Sequence, residues 1–393
     1  MAKASGKGSN LDGVRQHNLA IVLQLVHRAG RLSRSELTRE TGLNRSTVAA
    51  LVAELAALQL VSESEPDATG GVGRPSSVVL ASSSVVAITV NPDVDAVSVG
   101  VVGLDGTVHQ RVRHRTTKPP AAAETAQIVA TVIDGLGDLS QSGLQPVAIG
   151  AAVPALVHEA DGVVRLAPHL GWVDEPFGAM LTQACGLPAL VANDANLGAR
   201  AEHLYGAGRG VGDLLYLNGG AGGIGAGVIS RGGLLAGASG YAGELGHTLV
   251  NSVGTRCHCG SIGCLETEVA QAPLLRLLGI EADSGALDAA LAASTDPAVR
   301  AEVERQLGYL AITLSNAVNT FNPRLILLGG FLASLHALLP EVLEALVVER
   351  ALAASAETLT ITRALLGADL LTIGAAERAF APLLADPALV RTP

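Results

Sequence analysis

The chain has 393 residues, 49% of them hydrophobic, with a mean hydropathy of +0.40 and a formal net charge of −10. Length and apolar content provide for two or three domains with substantial cores, and the overall acidity argues against a protein that meets nucleic acid along its whole surface. The opening MAKASGKGSN holds no apolar run, and no apolar stretch reaches 18 residues without a charge or proline, so neither a signal peptide nor a membrane span is expected and the chain is read as cytoplasmic.

The charge is unevenly spread. Residues 1–50 carry eight lysines and arginines against three acids, a net of +5, which leaves −15 for the rest. A basic head on an acidic body places any DNA contact in the head. Residues 15–29 repeat Leu19, Val22, Leu23 and Val26 at helical spacing, and Gly30 ends that helix. Ser33 caps a second helix, Arg34–Thr41, with Glu36 in its first turn; Gly42 makes a tight turn and Asn44 caps a third helix reaching about residue 58. Leu37, Val48, Leu51 and Leu55 then face inward. This is a helix-turn-helix pattern, with a generic three-helix bundle as the alternative. The DNA-facing residues would be Ser35, Asn44, Arg45, Ser46 and Thr47, the last three opening the recognition helix. Val61 begins a β-wing whose tip is the glycine-rich run at 70–75. Arg74 there is either a minor-groove contact or a solvated linker arginine.

From Ser84 a period of two takes over. Strands are expected at 85–90, 96–102 and 107–113, turning at Asn91-Pro92 and Asp105-Gly106, then a helix at 121–137 and a strand at 147–153. A short strand at 190–192 delivers Asn193-Asp194-Ala195-Asn196 to the start of a helix, where Asp194 reads as an N-cap or as a polar site residue. The glycine run at 219–227 formally contains G-x-G-x-x-G, but residues 228–235 read as strand and turn, so the helix that a dinucleotide fingerprint needs is missing. A helix at 301–320 ends at Phe321-Asn322-Pro323, and a strand at 325–328 runs into Gly329-Gly330. Helices over 286–320 and 340–355 offer surface for self-association.

The stretch at 240–266, GYAGELGHTLVNSVGTRCHCGSIGCLE, holds three of the four cysteines. His247, Cys257, Cys259 and Cys264 suit a closed tetrahedral Zn²⁺ site, structural because no ligand position stays open for water; ordinary core cysteines or one oxidised pair are the alternative. Reduced thiols fit a reducing compartment. Cys185 lies apart and reads as a buried hydrophobe. Glu244 and Glu266 flank the cluster, and a metal that fixes two carboxylates makes a rigid hydrogen-bonding wall for a polyol.

GYAGELGH followed by CHCGSIGCLE resembles the paired motifs of the ROK family of repressors, open reading frames and kinases, and the resemblance extends over nearly the whole chain. It implies a winged helix-turn-helix head and linker at 1–82, of the kind ROK repressors carry and ROK kinases lack. It further implies an α/β actin-like ATPase (ribonuclease H-like) body of two lobes at 83–393, with the zinc motif at 247–264. Asn193, Asp194, Glu244, His247 and Glu266 would hold sugar hydroxyls, with Asp194 at the position of the kinase general base. Two departures bear on activity. The kinase phosphate loop Asp-x-Gly-Gly-Thr is here Asn91-Pro92-Asp93-Val94-Asp95, and the threonine of the second loop is here Gly222. Carboxylates repel a triphosphate and the backbone loses its glycines, so ATP binding is not expected. Ala155 and His169 stand where the family usually has glycine and asparagine, which bears on which sugar fits. The expected protein is a sugar-responsive DNA-binding repressor, a homodimer or homotetramer on a palindromic operator, with no membrane partner. The rival readings are a glucokinase-like sugar kinase with a fused DNA-binding head, and a DNA-bound oligomer with no ligand.

Overall fold

The computed structural model describes residues 11–64, 77–220, 222–280 and 284–389. α1 (Leu11–Ala29) buries Leu19, Val22, Leu23 and Val26 as one stripe. A short strand, β1 (Arg31–Ser33), leads into α2 (Arg34–Thr41), where Ser33 and Glu36 form a full capping box and Gly42 closes the helix in the left-handed region. α3 (Arg45–Ala57) starts from the Asn44 cap, whose Oδ1 accepts from Thr47 N at 2.8 Å. β2 (Val61–Ser64) and β3 (Val78–Ala81) complete an antiparallel sheet in the order β1-β3-β2. Leu37, Val48, Leu51 and Leu55 are buried between these elements. The head is a winged helix; the expected wing tip and Arg74 lie outside the described residues.

The first lobe opens with the antiparallel meander β4 (Val85–Pro92), β5 (Ala96–Gly103) and β6 (Val108–Arg115). α4 (Ala122–Gly135) leads to β7 (Gln145–Val153), which lies parallel to β4. A small sheet of β8 (Leu156–His158), β9 (Val163–Ala167) and β10 (Trp172–Glu175) follows. Then α5 (Phe177–Cys185) and β11 (Ala189–Asn193) finish a five-stranded sheet in the order β11-β7-β4-β5-β6. α6 (Asp194–Tyr205) crosses to the second lobe.

That lobe contains β12 (Leu214–Gly220), β13 (Gly223–Ser230), β14 (Gly233–Leu234) and four helices, α7 (Leu265–Glu268), α8 (Gln271–Leu278), α9 (Ser284–Ala293) and α10 (Pro297–Phe321). After β15 (Leu325–Gly329) come α11 (Gly330–Leu338), α12 (Pro340–Arg350), α13 (Ala353–Ala356), β16 (Thr360–Arg363) and α14 (Leu370–Ala385). Its sheet runs β14-β13-β12-β15-β16. The helices expected over 286–320 are α9 and α10, separated where Asp296 caps α10 and Pro297 opens it. The helix expected over 340–355 stops at Arg350 because Ala351 and Leu352 are extended. Among the described residues no single helix is long and apolar enough to cross a membrane.

α14 returns from the second lobe to lie on the first. A Cβ at Gly150 of β7 would fall 1.8 Å from the Ala375 carbonyl oxygen, so this helix can sit on this strand only over a glycine. Its far side meets the head: Phe380, Leu383 and Leu384 share one core with Leu19, Val22, Leu23 and Val26 of α1 and with Val85, Val102 and Leu104.

Candidate functional site

The cysteine stretch folds back on itself. Gly263 has φ +71, and a Cβ there would strike the Asn251 carbonyl oxygen at 1.6 Å, so glycine is required for the return. That return places one donor atom each from His247, Cys257, Cys259 and Cys264 within 4.8 Å of one another. Cys259 Sγ and Cys264 Sγ are 3.6 Å apart, as are Cys257 Sγ and His247 Nδ1. Tetrahedral zinc with Zn–S bonds near 2.3 Å puts sulfurs about 3.8 Å apart, close to the spacing of these two pairs. None of the four cysteines is joined in a disulfide. A second group shares two of these residues: His247, Cys257, His258 and Glu266. Three thiolates and an imidazole are the softer set, and they leave Glu266 for the cleft. Cys185 is half-buried at the end of α5 rather than fully buried, and burial pushes its thiol up to about 11.

A cleft of about 290 Å³ opens between the lobes beside this cluster. Asn193 and Asp194 reach it from the β11–α6 junction, and Glu244, His247 and Glu266 from the cysteine segment, so the structure brings all five expected sugar-site residues together. Asn193 is committed within the chain: its Oδ1 caps α6 by accepting from Asn196 N at 2.9 Å, and its Nδ2 donates to the Ala155 carbonyl at 3.0 Å. Asp194 accepts from Ala195 N at 2.8 Å. Burial, opposed by that bond, raises its carboxyl to about 6. Burial and the neighbouring charges of Asp194 and Glu266 raise Glu244 to about 7. Near neutrality Glu244 can therefore donate as well as accept while Asp194 mainly accepts, which suits a hydroxyl ligand.

Sequence reasoning missed one residue in the wall. His258 sits inside the cysteine motif, with Nδ1 3.1 Å from Glu266 Oε1 and its ring 5.1 Å from that of His169. His169 lines the cleft too, its Nε2 buried without a hydrogen-bond partner; burial and then the His258 charge lower its pKa. The only signal for His258 was its place between two ligand cysteines.

One expectation needs correction. Asp93 and Asp95 were both expected where phosphates would sit, but only Asp93 lines the cleft. Asp95 turns outward to pair with Arg113 at 2.7 Å, because the two acids fall on opposite sides of the β4–β5 turn. Asp93, Asp194, Glu244 and Glu266 give the cleft four carboxylates, and no lysine or arginine lines it among the described residues.

On the head, Arg45 is exposed at the first turn of α3 with no side-chain partner among the described residues. Ser46 donates to Asn44 Oδ1 at 2.7 Å, so both belong to the cap, and Ser35 bonds Ser33 at 2.9 Å. Thr47 supplies the N–H that Asn44 accepts. The neighbouring Arg34 is tied to Glu63 of β2 by a forked pair at 2.9 and 2.8 Å.

The family model described as "ROK family" matches residues 88–380. The xylose repressor of Bacillus spizizenii is 28% identical over 325 residues, covering 82% of this chain and 84% of its own. The DNA-binding transcriptional dual regulator NagC of Escherichia coli K12 is 28% identical over 370 residues, 90% of each chain. Among solved structures, a ROK family transcriptional regulator, homologue of the E. coli MLC protein, superposes with a TM-score of 0.78 at 24% identity, covering 96% of this chain and 97% of its own. A ROK family glucokinase from Streptomyces griseus, in complex with glucose and AMPPNP, gives 0.63 at 24% identity and covers 75% of this chain and 99% of its own.

Proposed function

The chain belongs to the ROK family, and on that premise we propose that it is a DNA-binding transcriptional repressor whose cleft binds a sugar that alters its hold on an operator. One observation carries the reading: a winged-helix head with an exposed arginine at the start of α3 is built onto a body whose cleft gathers hydroxyl-binding groups from both lobes. Relatives that cover 82–96% of the chain are named as regulators, whereas the glucokinase of known structure covers 75% of it.

The residues support binding over phosphoryl transfer. A kinase must stabilise a triphosphate with backbone N–H groups and cations. Here Asp93 faces the cleft, and among the described residues no lysine or arginine does. Sugar hydroxyls instead find Asp194, Glu244 and Glu266, with His247 held against the thiols. His247, Cys257, Cys259 and Cys264 would hold one structural Zn²⁺, which when bound fixes the loop carrying Glu266. A dimer is proposed to present two copies of α3 to a palindromic operator.

One observation keeps the kinase reading alive: Asp194 lies in the cleft with a carboxyl raised to about 6, suited to a general base. The two readings separate in one experiment. A duplex selected from a random pool by the wild-type chain is titrated with D-xylose, D-glucose and N-acetyl-D-glucosamine, alongside Asp194→Asn and Glu244→Gln. Altered operator affinity in wild type, lost in both variants that still bind DNA, supports the proposal. Unchanged responses in both variants place the pocket elsewhere. Sugar-dependent ATP turnover that vanishes in Asp194→Asn makes the protein a kinase.

A further inference from the structure

Two helices run from the cleft to the head. α6 begins in the cleft at Asp194 and ends at Tyr205, roughly 16 Å away at 1.5 Å per residue. α14 places Leu371 in the cleft wall at its start and Glu377, Phe380 and Leu384 against the head further on. The two helices are pressed together: a Cβ at Gly374 would fall 2.7 Å from the Leu197 carbonyl oxygen. Such packing transmits displacement rather than absorbing it.

At the head end the helices meet α1 through a buried polar contact. The Tyr205 hydroxyl donates to Glu377 Oε1 at 2.6 Å, and the same oxygen lies 2.6 Å from His27 Nε2. His27 Nδ1 faces the Leu104 carbonyl oxygen. Burial disfavours the charged ring, but the Glu377 hydrogen bond and charge outweigh it and hold the His27 pKa above its ordinary value. His27 is 5% exposed and Glu377 3%. A buried charge pair is weak evidence for stability, since apolar residues of similar volume often serve as well; its better attested use is to fix one arrangement against others. Gln24 Nε2 adds a bond to the Leu384 carbonyl at 2.9 Å. Beside the contact lies a cavity of about 250 Å³, bordered by Arg28, Asp105 and Phe380, which leaves room for a second arrangement.

We propose that the His27–Glu377–Tyr205 contact is the joint through which the cleft and the DNA-binding head act on each other, with α6 and α14 as its two struts. The inference rests on the reading of the cleft as a sugar site and the head as a DNA reader. A sugar that favours one position of Asp194 and Leu371 favours one position of Tyr205 and Glu377. α1 packs on α3, so the recognition helix moves with the joint. No contact between sugar and head is needed.

The test compares full-length wild type, Tyr205→Phe and Glu377→Gln with Val129→Ala, a packing loss in α4 far from the joint. D-xylose, D-glucose and N-acetyl-D-glucosamine are screened for binding to wild type by calorimetry, and the selected duplex is titrated with and without the sugar that binds. The joint predicts that the ratio of the two DNA affinities shrinks about 2- to 30-fold in Tyr205→Phe and Glu377→Gln, while each still binds sugar and DNA separately and Val129→Ala keeps the wild-type ratio. Should Glu377→Gln fail to fold, Tyr205→Phe, which removes a single hydroxyl, decides alone. A wild-type ratio in the folded joint variants overturns the inference and leaves the sugar-responsive reading standing. Wild type that binds none of the sugars, or binds one without a change in DNA affinity, overturns that reading and the inference with it.

Discussion

The chemistry of the cleft turns on groups held away from their ordinary protonation. Burial lifts the Asp194 carboxyl from 3.8 to about 6. Between those values the folded chain holds a proton that the unfolded chain has released, so this group favours folding at low pH and its contribution is lost as pH rises through about 6. Asp194→Asn keeps an oxygen for Ala195 N and has no charge to desolvate. The sugar-free variant is therefore expected to melt higher than wild type at about pH 8, by up to about 3 kcal/mol, and to match it near pH 4. Equal melting at both values would mean the carboxylate is well solvated. The thiols follow from the same local scale. Purified protein is expected to carry one zinc per chain, and Cys259→Ser to lose the metal together with the sugar response, because metal binding and loop folding are coupled. Metal content well below one equivalent would remove zinc from the account. The cluster was legible in the sequence because its ligands lie within eighteen residues and glycine sets the return between them. Asp95 was not, since the side to which it points depends on how β4 and β5 turn and on Arg113 across the sheet.

At the scale of elements, caps did much of the work that made the head readable. Ser33 with Glu36, and Asn44 with Thr47, fix where α2 and α3 begin, and these signals are local enough to stand out in sequence. They also narrow the choice of DNA contacts, because Asn44 and Ser46 are engaged with each other and Arg45 is left exposed. Arg45→Ala is expected to weaken operator binding by about 1–3 kcal/mol if the guanidinium pairs with a base edge, read as a footprint lost at one position in each half-site. An unchanged footprint would place recognition on another element. The breaks at 294–296 and 351–352 were less legible, since apolar periodicity continues on both sides and only Asp296-Pro297 marks the first.

The whole molecule departs most from what the sequence could say. His27 and Glu377 lie 350 residues apart, and nothing local in either segment announces the other. Sequence reading placed a boundary near 82–83, whereas the core runs across it from α1 through β4 and β5 to α14. Val85, Val102, Leu104, Phe380, Leu383 and Leu384 are each at most 6% exposed in the full chain, and the head covers much of that face. A chain of residues 83–393 alone would return part of this surface to water. At about 1.5–3 kcal/mol for each large side chain fully uncovered, even two or three such losses amount to roughly 5 kcal/mol. The body alone is therefore expected to melt roughly 10 °C below the full chain and to associate through the uncovered face. The head is expected to unfold in the same calorimetric transition as the first lobe, since the core they share cannot melt in halves. Two separate transitions in the full chain, with the second matching the melting of the isolated body, would show the head to be an independent unit. A shared core has a consequence for regulation too. A head that floats on a linker can be moved only by tension along that linker, whereas a head seated on α14 is moved by whatever moves α14, and α14 starts in the wall of the cleft.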